Sequence, residues 1–269
     1  MGRRKNIIRL GFLVAAALIF GSCERVIHID LNSSGKQLVI EAYVTDQPLV
    51  DTVLITQTGS YFTPGNFARV NGATIIVTDN MGVTDTFIQV DSGKYAATHL
   101  TGIPGRTYTM KATVLGKEYD AVSTMPLPVN IDSITSNEVG NAPDTNYHVH
   151  CYFIDPVAYT NFYKVEAYVN NVLQDSTGDI ALDEDKYTNG LPQGVRLRMA
   201  NPTTNDSVKV VLMCIDANTY KYFSVVKSIT GASNPVSTAT PQNPPTNILG
   251  GALGYFSAHT VRTASLVIP

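Results

Sequence analysis

The sequence predicts an all-β protein built from two immunoglobulin-like β-sandwich domains. Three observations support this fold class. Tyr, Thr and Val dominate the body of the chain, and these residue types favour strands. Short stretches that alternate apolar and polar side chains recur and are separated by turn residues. Two closely spaced prolines, Pro126 and Pro128, divide the strands into two series, as expected for a stiff linker between domains.

The first series, residues 37–125, predicts one sandwich domain. Its clearest strand is 107–115, where Tyr108, Met110 and Val114 share one face and threonines line the other. Half of the side chains of each strand would then face a partner sheet and form the core. The other strands expected here are 37–45, 52–58, 73–78, 84–90, 94–98 and 118–123.

The second series, residues 126–269, predicts a second sandwich domain with one helix. The helix is expected at about 218–229, because Tyr222 and Ile229 fall on one side at helical spacing, and its apolar side should cap this sandwich. A proline-rich loop at 231–247 follows. The strands expected here are 147–154, 162–169, 195–199 and 208–215, with two closing strands at 250–258 and 260–268.

The amino terminus predicts a lipoprotein signal peptide over residues 1–22. Basic residues precede a short apolar run at 10–20, and the small pair Gly21-Ser22 comes directly before Cys23. Cys23 is therefore expected to become the acylated first residue of the mature protein. The apolar run is short for a membrane span, which needs ~20 residues. Residues 23–36 would form a lipidated tether, and acyl chains would hold the protein at the membrane.

Charge argues against nucleic acid as a partner. The chain has 19 Lys+Arg and 22 Asp+Glu, and the four basic residues of the predicted leader leave with it, so the mature chain has a net charge of −7. Nucleic-acid binding proteins need clustered Lys and Arg to displace counterions. The predicted partners are instead the membrane and a glycan or peptide ligand.

Two cysteines other than Cys23 admit two interpretations. Cys151 and Cys214 each lie in step with apolar residues of an expected strand, in a compartment where disulfides form. Their separation is similar to that of the inter-sheet cysteines of immunoglobulin domains, although the chain has no Trp to pack against such a bridge. One expectation is a disulfide between them, and the other is two buried free thiols.

Several phrases of the sequence together resemble one protein family, namely residues 39–46, 71–79, 105–108, 153–156, 161–163 and the glycine-rich 247–256. This family is the domain of unknown function 4249, which is found in bacterial outer-membrane lipoproteins. The resemblance covers nearly all of the mature chain. Its members often occur beside TonB-dependent outer-membrane transporters, which implies an accessory role in nutrient uptake. The family has no established catalytic residues to carry over.

Two groups of residues are candidate metal ligands. His148 and His150 share one face of an expected strand, where two imidazoles could begin a zinc or copper site, but spacing identifies no third ligand. The acidic stretch 183–185 could hold calcium, although its spacing matches no EF-hand pattern. An exposed strand face and a solvated acidic loop are the simpler interpretations, so neither metal nor cofactor is predicted.

A loop with three aromatic residues is the tentative binding loop. Tyr61, Phe62 and Phe67 flank a Pro-Gly turn, where their rings could stack on a sugar or contact a protein partner. Packing within the loop itself is the alternative. No Gly-x-Ser-x-Gly elbow or other reactive constellation is present in the sequence.

The function expected from these observations is that of an outer-membrane lipoprotein without catalysis of its own, acting as a binding accessory component of a TonB-dependent uptake system. A surface adhesin or structural lipoprotein is the alternative from a different class. A glycan-active hydrolase is the third, because paired carboxylates meet only in the folded protein. The membrane face on which the protein lies is left open.

Overall fold

The computed structural model describes residues 35–48, 51–59, 65, 67–140, 146–174, 180–197, 202–230 and 243–269. Lys36–Pro269 form one compact unit, and its described part consists of fifteen strands, a short 3-10 helix at Asp185–Tyr187 and the helix α1 (Ala217–Thr230). No helix in these ranges is long and apolar enough to cross a bilayer. The strands are β1 (Leu38–Thr45), β2 (Thr52–Gln57), β3 (Thr74–Asp79), β4 (Thr84–Asp91), β5 (Lys94–Ala96), β6 (Thr107–Val114), β7 (Lys117–Thr124), β8 (Ser133–Val139), β9 (Asn146–Ile154), β10 (Phe162–Val169), β11 (Val172–Leu173), β12 (Ala181–Glu184), β13 (Pro192–Leu197), β14 (Ser207–Ile215) and β15 (Leu253–Val267).

One large sheet runs through the whole unit. Its order is β11-β10-β14-β15-β1-β2-β5-β4-β3-β6-β7, with β12 paired to β10 away from this path. A second sheet has the order β13-β9-β8. The predicted all-β, sandwich-like fold class is confirmed.

The first lobe is the part of the large sheet from β15 to β7, folded over itself. Its two ends meet where Ala121 of β7 forms an isolated bridge with Ile248, just before β15. Side chains from both layers fill the interior, among them Ile40, Tyr108 and Phe256, all of which are fully buried. Alternation of apolar and polar residues along each strand therefore produced the layered core that the sequence predicts.

The second lobe places the other end of the large sheet opposite the β13-β9-β8 sheet. Val149 and Phe153 of β9 face Tyr163 of β10 and Leu212 of β14 across this second core. The rings of Phe153 and Tyr163 lie 4.6 Å apart at their centroids.

The strand β15 belongs to both lobes, which differs from the predicted boundary at residue 126. Its first half pairs in parallel with β1, beginning at Val39 and Leu253, and its second half pairs with β14. Residues 248–258 consequently contribute to the first core. The two closing strands predicted from the sequence are one continuous strand, because neither Pro nor Gly interrupts the alternation after Gly254.

The two cysteines of the second lobe are free thiols in the structure, so the disulfide interpretation is corrected. Cys151 and Cys214 are both buried in the second core. The sulfur of Cys214 accepts a hydrogen bond of 3.3 Å from the backbone N–H of Val129. Burial raises the pKa of the Cys151 thiol to about 12, which keeps it protonated and unreactive.

The helix α1 lies on the outer face of the large sheet, where it contacts β10 and β12 of the second lobe and the shared strand β15. Asp216 caps its amino terminus, because the Asp216 Oδ1 atom accepts a 2.7 Å hydrogen bond from the backbone N–H of Thr219. Asp216 also accepts a hydrogen bond from the Ser123 hydroxyl of β7. This bond ties the start of the helix to the first lobe.

Candidate functional site

A groove that combines charges and aromatic rings lies on the outer face of β15, β1, β2 and β5. Its volume is about 490 Å³. We call it the outer groove. It is lined by Glu41, Tyr43, Thr52, Leu54, Arg69, Asp91, Ser92, Lys94 and Tyr255.

Strand register brings the floor of the outer groove together. Glu41 of β1 lies opposite Leu54 of β2 and Tyr255 of β15, and Leu54 lies opposite Lys94 of β5. Directly paired residues point to the same side of a sheet, so these four form one row on the outer face. The next residue in β1, Ala42, faces the core instead.

A close backbone approach positions Arg69. Arg69 pairs with Thr56 in an isolated bridge at the edge of the groove. Gly93 packs against it with a φ of +63°, and a Cβ added to Gly93 would lie 2.7 Å from the Ile55 carbonyl oxygen and 3.0 Å from the Arg69 Cβ. Only glycine fits there. The Asn71 Oδ1 atom accepts a 2.8 Å hydrogen bond from the Gly93 N–H and so fixes the turn.

Four charges line the outer groove without pairing directly with one another. Within the described ranges, no ion pair joins any two of Glu41, Arg69, Asp91 and Lys94. Burial raises the pKa of Glu41, and the nearby Arg69 guanidinium opposes that rise. Both signs of charge are therefore presented to whatever occupies the groove.

Aromatic packing forms one wall of the outer groove. The Tyr255 ring lies 4.8 Å from the ring of Tyr222 and 5.0 Å from that of Phe223, both on α1. The Lys164 Nζ atom lies 4.7 Å from the centre of the Phe223 ring. Burial, reinforced by the Glu41 carboxylate, raises the pKa of Tyr255, which keeps its hydroxyl a neutral hydrogen-bond donor. The helix α1 thus packs against Tyr255 and holds its ring in the wall of the outer groove.

A serine and a histidine approach each other beside the outer groove, on the same face of β15. The Ser257 Oγ and His259 Nδ1 atoms are 3.1 Å apart. Both side chains are buried, and burial together with the Lys164 charge lowers the pKa of His259 to about 4. A histidine with so low a pKa is a weak general base. The covered pair therefore fits a structural role better than nucleophilic catalysis.

The sequence-predicted site residues fall in different places. Cys23, Tyr61 and Phe62 lie outside the described residues. Phe67 is exposed and lies two residues before Arg69, which lines the outer groove.

The two histidines weighed as metal ligands do share the outer face of β9, as predicted. A guanidinium occupies the same face, since the Arg196 Nη2 and His148 Nε2 atoms are 2.7 Å apart. Burial and the Arg196 charge lower the pKa of His150. A fixed positive charge disfavours a second cation there. In the described part of the chain, no group of three or more His, Cys, Asp and Glu side chains is arranged to hold a metal ion.

Sequence reasoning missed a buried polar network that joins two loops of the second lobe. The Asp155 carboxylate accepts hydrogen bonds from the Tyr163 hydroxyl at 2.5 Å and from the Gly190 N–H at 2.9 Å. The backbone N–H of Asn161 donates to Asp185 at 2.8 Å, and the Asn161 side chain donates to Asp155 at 3.2 Å. The phrases 153–156 and 161–163, noted only for their family resemblance, were the available signal.

This network presents exposed aromatic side chains on the loops it joins. Tyr159 is 51% exposed and Tyr187 is 84% exposed. The Asn189 side chain donates a 3.4 Å hydrogen bond to the Val157 carbonyl, which links the two loops again at their tips. We call these loops, residues 155–161 and 185–191, the Asp155 loops.

Comparisons with known proteins identify the family of the chain and a distant similarity to solved structures. The sequence model of the family described as Domain of unknown function (DUF4249) matches residues 24–265. No curated protein matches the chain. Among solved structures, the chain is similar to the adhesin InvE of Yersinia pseudotuberculosis, with 16% sequence identity and a TM-score of 0.21. That similarity covers 66% of this chain and 55% of the adhesin chain, so it spans about half the length of the adhesin.

Proposed function

The chain belongs to the DUF4249 family of unknown function, and on that premise we propose that it is a non-catalytic binding protein held at the outer membrane by acyl chains on Cys23. It serves a TonB-dependent transporter as an accessory component and binds its ligand in the outer groove. The groove, with its four charges and its aromatic wall, is the observation that supports binding. The order of residues around Cys23 supports the tether.

The chemistry of the outer groove favours an oligosaccharide as the ligand. Sugars carry hydroxyl groups that pair with charged side chains such as Glu41 and Arg69, and their apolar faces stack on rings such as that of Tyr255. Charges of both signs suit a neutral ligand with many hydroxyls better than a ligand with one strong charge. The outer groove is shallow and is lined by polar groups and two tyrosines. An oligosaccharide can bind such a groove, because unlike an apolar small molecule it does not need a deep apolar cavity.

The Asp155 loops are the surface that we assign to the transporter. Tyrosine is enriched at protein interfaces, and a buried polar network that fixes the loops lowers the entropic cost of binding. Tyr159 and Tyr187 are therefore held ready for a protein partner and do not have to be ordered by it.

Neutralising the outer groove should weaken oligosaccharide binding. We expect Arg69→Met and Glu41→Gln each to weaken it roughly 10- to 100-fold, because a hydrogen bond to a charged group contributes about 1.5–3 kcal/mol. Isothermal titration against a panel of oligosaccharides measures this. Since burial raises the pKa of Glu41, the wild type should lose affinity on acidification at a higher pH than an ordinary glutamate would, and Glu41→Gln should abolish that dependence.

The matched control is Lys111→Met, which removes an exposed charge from β6 in the other layer of the first lobe. It should bind as the wild type does, and mass spectrometry should recover the bound sugar with its mass unchanged. Failure of every oligosaccharide to bind, equal affinity of the groove variants and the wild type, or recovery of shortened sugars would each contradict the proposal.

A further inference from the structure

The described chain begins at one defined end of the first lobe. The backbone N–H of Gln37 donates a 3.0 Å hydrogen bond to the Thr58 hydroxyl, and Leu38, the first residue of β1, pairs with Gln57, the last residue of β2. The predicted tether, residues 23–36, therefore joins the lobe at the end where β1 starts. We call this the tether end.

Topology brings three other connections to the tether end. Because β15 runs parallel to β1, the turn that precedes Leu253 lies there as well. Thr74, which begins β3, pairs with Thr113 near the end of β6, and the turn at residues 115–116 follows directly. The residues that follow the loop after β2 lie at this end too, since the Gln57 N–H donates a 2.9 Å hydrogen bond to the Ala68 carbonyl.

Each of these connections has an exposed large apolar side chain among its described residues. Leu115 is 75% exposed, Leu249 is 71% exposed and Phe67 is 57% exposed. Leu115 also has a φ of +52°, a left-handed conformation that is uncommon for any residue other than glycine. Leu115 is unfavourable in two respects, because its apolar side chain is exposed to water and its backbone conformation suits Gly or Asn better. A residue kept at both costs points to a role outside the folded core.

Basic side chains accompany the apolar ones. Lys36 precedes β1 and is exposed, and Lys117 begins β7 beside Leu115. The Lys117 Nζ atom lies 5.3 Å from the centre of the Tyr119 ring. Lysines next to apolar loop tips suit a surface with anionic headgroups above a hydrocarbon layer.

We propose that the tether end of the first lobe docks on the lipid bilayer, with Leu115, Leu249 and Phe67 inserted between the headgroups. The inference rests on the proposed acyl anchor at Cys23. Residues 23–36 span at most roughly 50 Å when fully extended, so the anchor keeps this end near the membrane. Exposure alone does not select the surface, since Met81, at the turn between β3 and β4 at the opposite end, is 70% exposed. The tether end is chosen as the membrane-docking surface because the predicted tether joins the lobe there.

The absence of Trp from the sequence makes a clean test available. The single substitutions Leu115→Trp and Leu249→Trp each place one fluorophore at the tether end, and Met81→Trp places one at the opposite end. The lipidated proteins are mixed with vesicles of phosphatidylethanolamine and phosphatidylglycerol. We expect emission at Leu115→Trp and Leu249→Trp to shift to shorter wavelength and to be quenched by brominated lipid. Emission at Met81→Trp should not change.

The outcomes separate the docking from the anchor. Protein that stays off the vesicles altogether contradicts the proposed acyl anchor. Protein that binds the vesicles while the fluorophores at the tether end remain in water, or are quenched no more than that of Met81→Trp, overturns the docking proposal alone. In the unacylated Cys23→Ala chain, Leu115→Ser should weaken the residual binding to these vesicles on the order of tenfold, whereas Met81→Ser should leave it unchanged.

Discussion

Asp51→Asn should stabilise the protein at pH 8 by up to roughly 4 kcal/mol and have little effect near pH 4. Asp51 is buried, and burial raises the pKa of its carboxyl to about 7 even though the backbone N–H and hydroxyl of Thr45 donate to its Oδ1 atom. Its Oδ2 atom has no hydrogen-bond partner among the described residues. The folded protein therefore holds a proton on Asp51 at a pH where the unfolded chain has lost it.

The sign follows from that difference in proton binding. Between about pH 4 and about pH 7 the folded state binds more protons at Asp51 than the unfolded state does, so stability falls as the pH rises through this window. Asparagine has no proton to lose, and Asp51→Asn should remove this slope. Urea unfolding at pH 4, 6 and 8 measures it. A variant whose stability tracks that of the wild type at all three pH values would contradict the assignment.

Asp85→Asn is the matched control, because it should act in the opposite direction. Burial opposes ionisation of Asp85, but hydrogen bonds from the Thr98 hydroxyl and from the N–H groups of His99 and Leu100 outweigh it and lower the pKa. Asparagine lacks the negative charge that these donors stabilise, and its amide nitrogen would face the Thr98 hydroxyl that now donates to Oδ1, so the variant should lose about 3 kcal/mol at pH 7. The stability that Asp85 contributes is present above its ordinary pKa and is lost in acid.

Gly254→Ala should destabilise the fold by more than about 4 kcal/mol or prevent folding. Gly254 has a φ of +101°, and a Cβ added there would lie 2.0 Å from the Ile40 carbonyl oxygen in β1. Backbone atoms cannot move aside as a flexible side chain can, so alanine must separate β1 from β15 where their parallel pairing begins. Tyr255, the next residue, would leave the wall of the outer groove.

Gly116→Ala separates this clash from the general cost of losing a glycine. Gly116 also has a positive φ, of +77°, but a Cβ added there meets nothing within 4 Å. Its substitution should cost only about 1 kcal/mol, the strain of a left-handed alanine. Urea midpoints and far-UV circular dichroism of the two variants provide the comparison. Equal stability of the two variants would contradict the close approach at Gly254.

Local patterns predicted the strands well because alternation is a property of neighbouring residues. The strand β6 coincides with the expected strand to within one residue, and α1 extends the expected helix by one residue at each end. Each of these features depends on residues within a few positions of one another.

Features that depend on distant residues could not be predicted in the same way. Parallel pairing of β1 with β15 joins residues about two hundred positions apart, and no local pattern records it. The same pairing brings Glu41 beside Tyr255, so local patterns could not predict the floor of the outer groove either. The hydrogen bond from the Gly190 N–H to Asp155 likewise joins residues that are far apart in the sequence.

Purification of the wild-type chain from solubilised outer membranes tests the proposed function most directly. We expect the chain in the outer-membrane fraction together with a TonB-dependent transporter, which mass spectrometry identifies. Cys23→Ala should release the protein into the soluble fraction. The double variant Tyr159→Ser and Tyr187→Ser should stay in the membrane without the transporter, while Met81→Ser retains it. A wild-type chain that is soluble, or that is recovered from the outer membrane with no transporter, would contradict a tethered accessory protein.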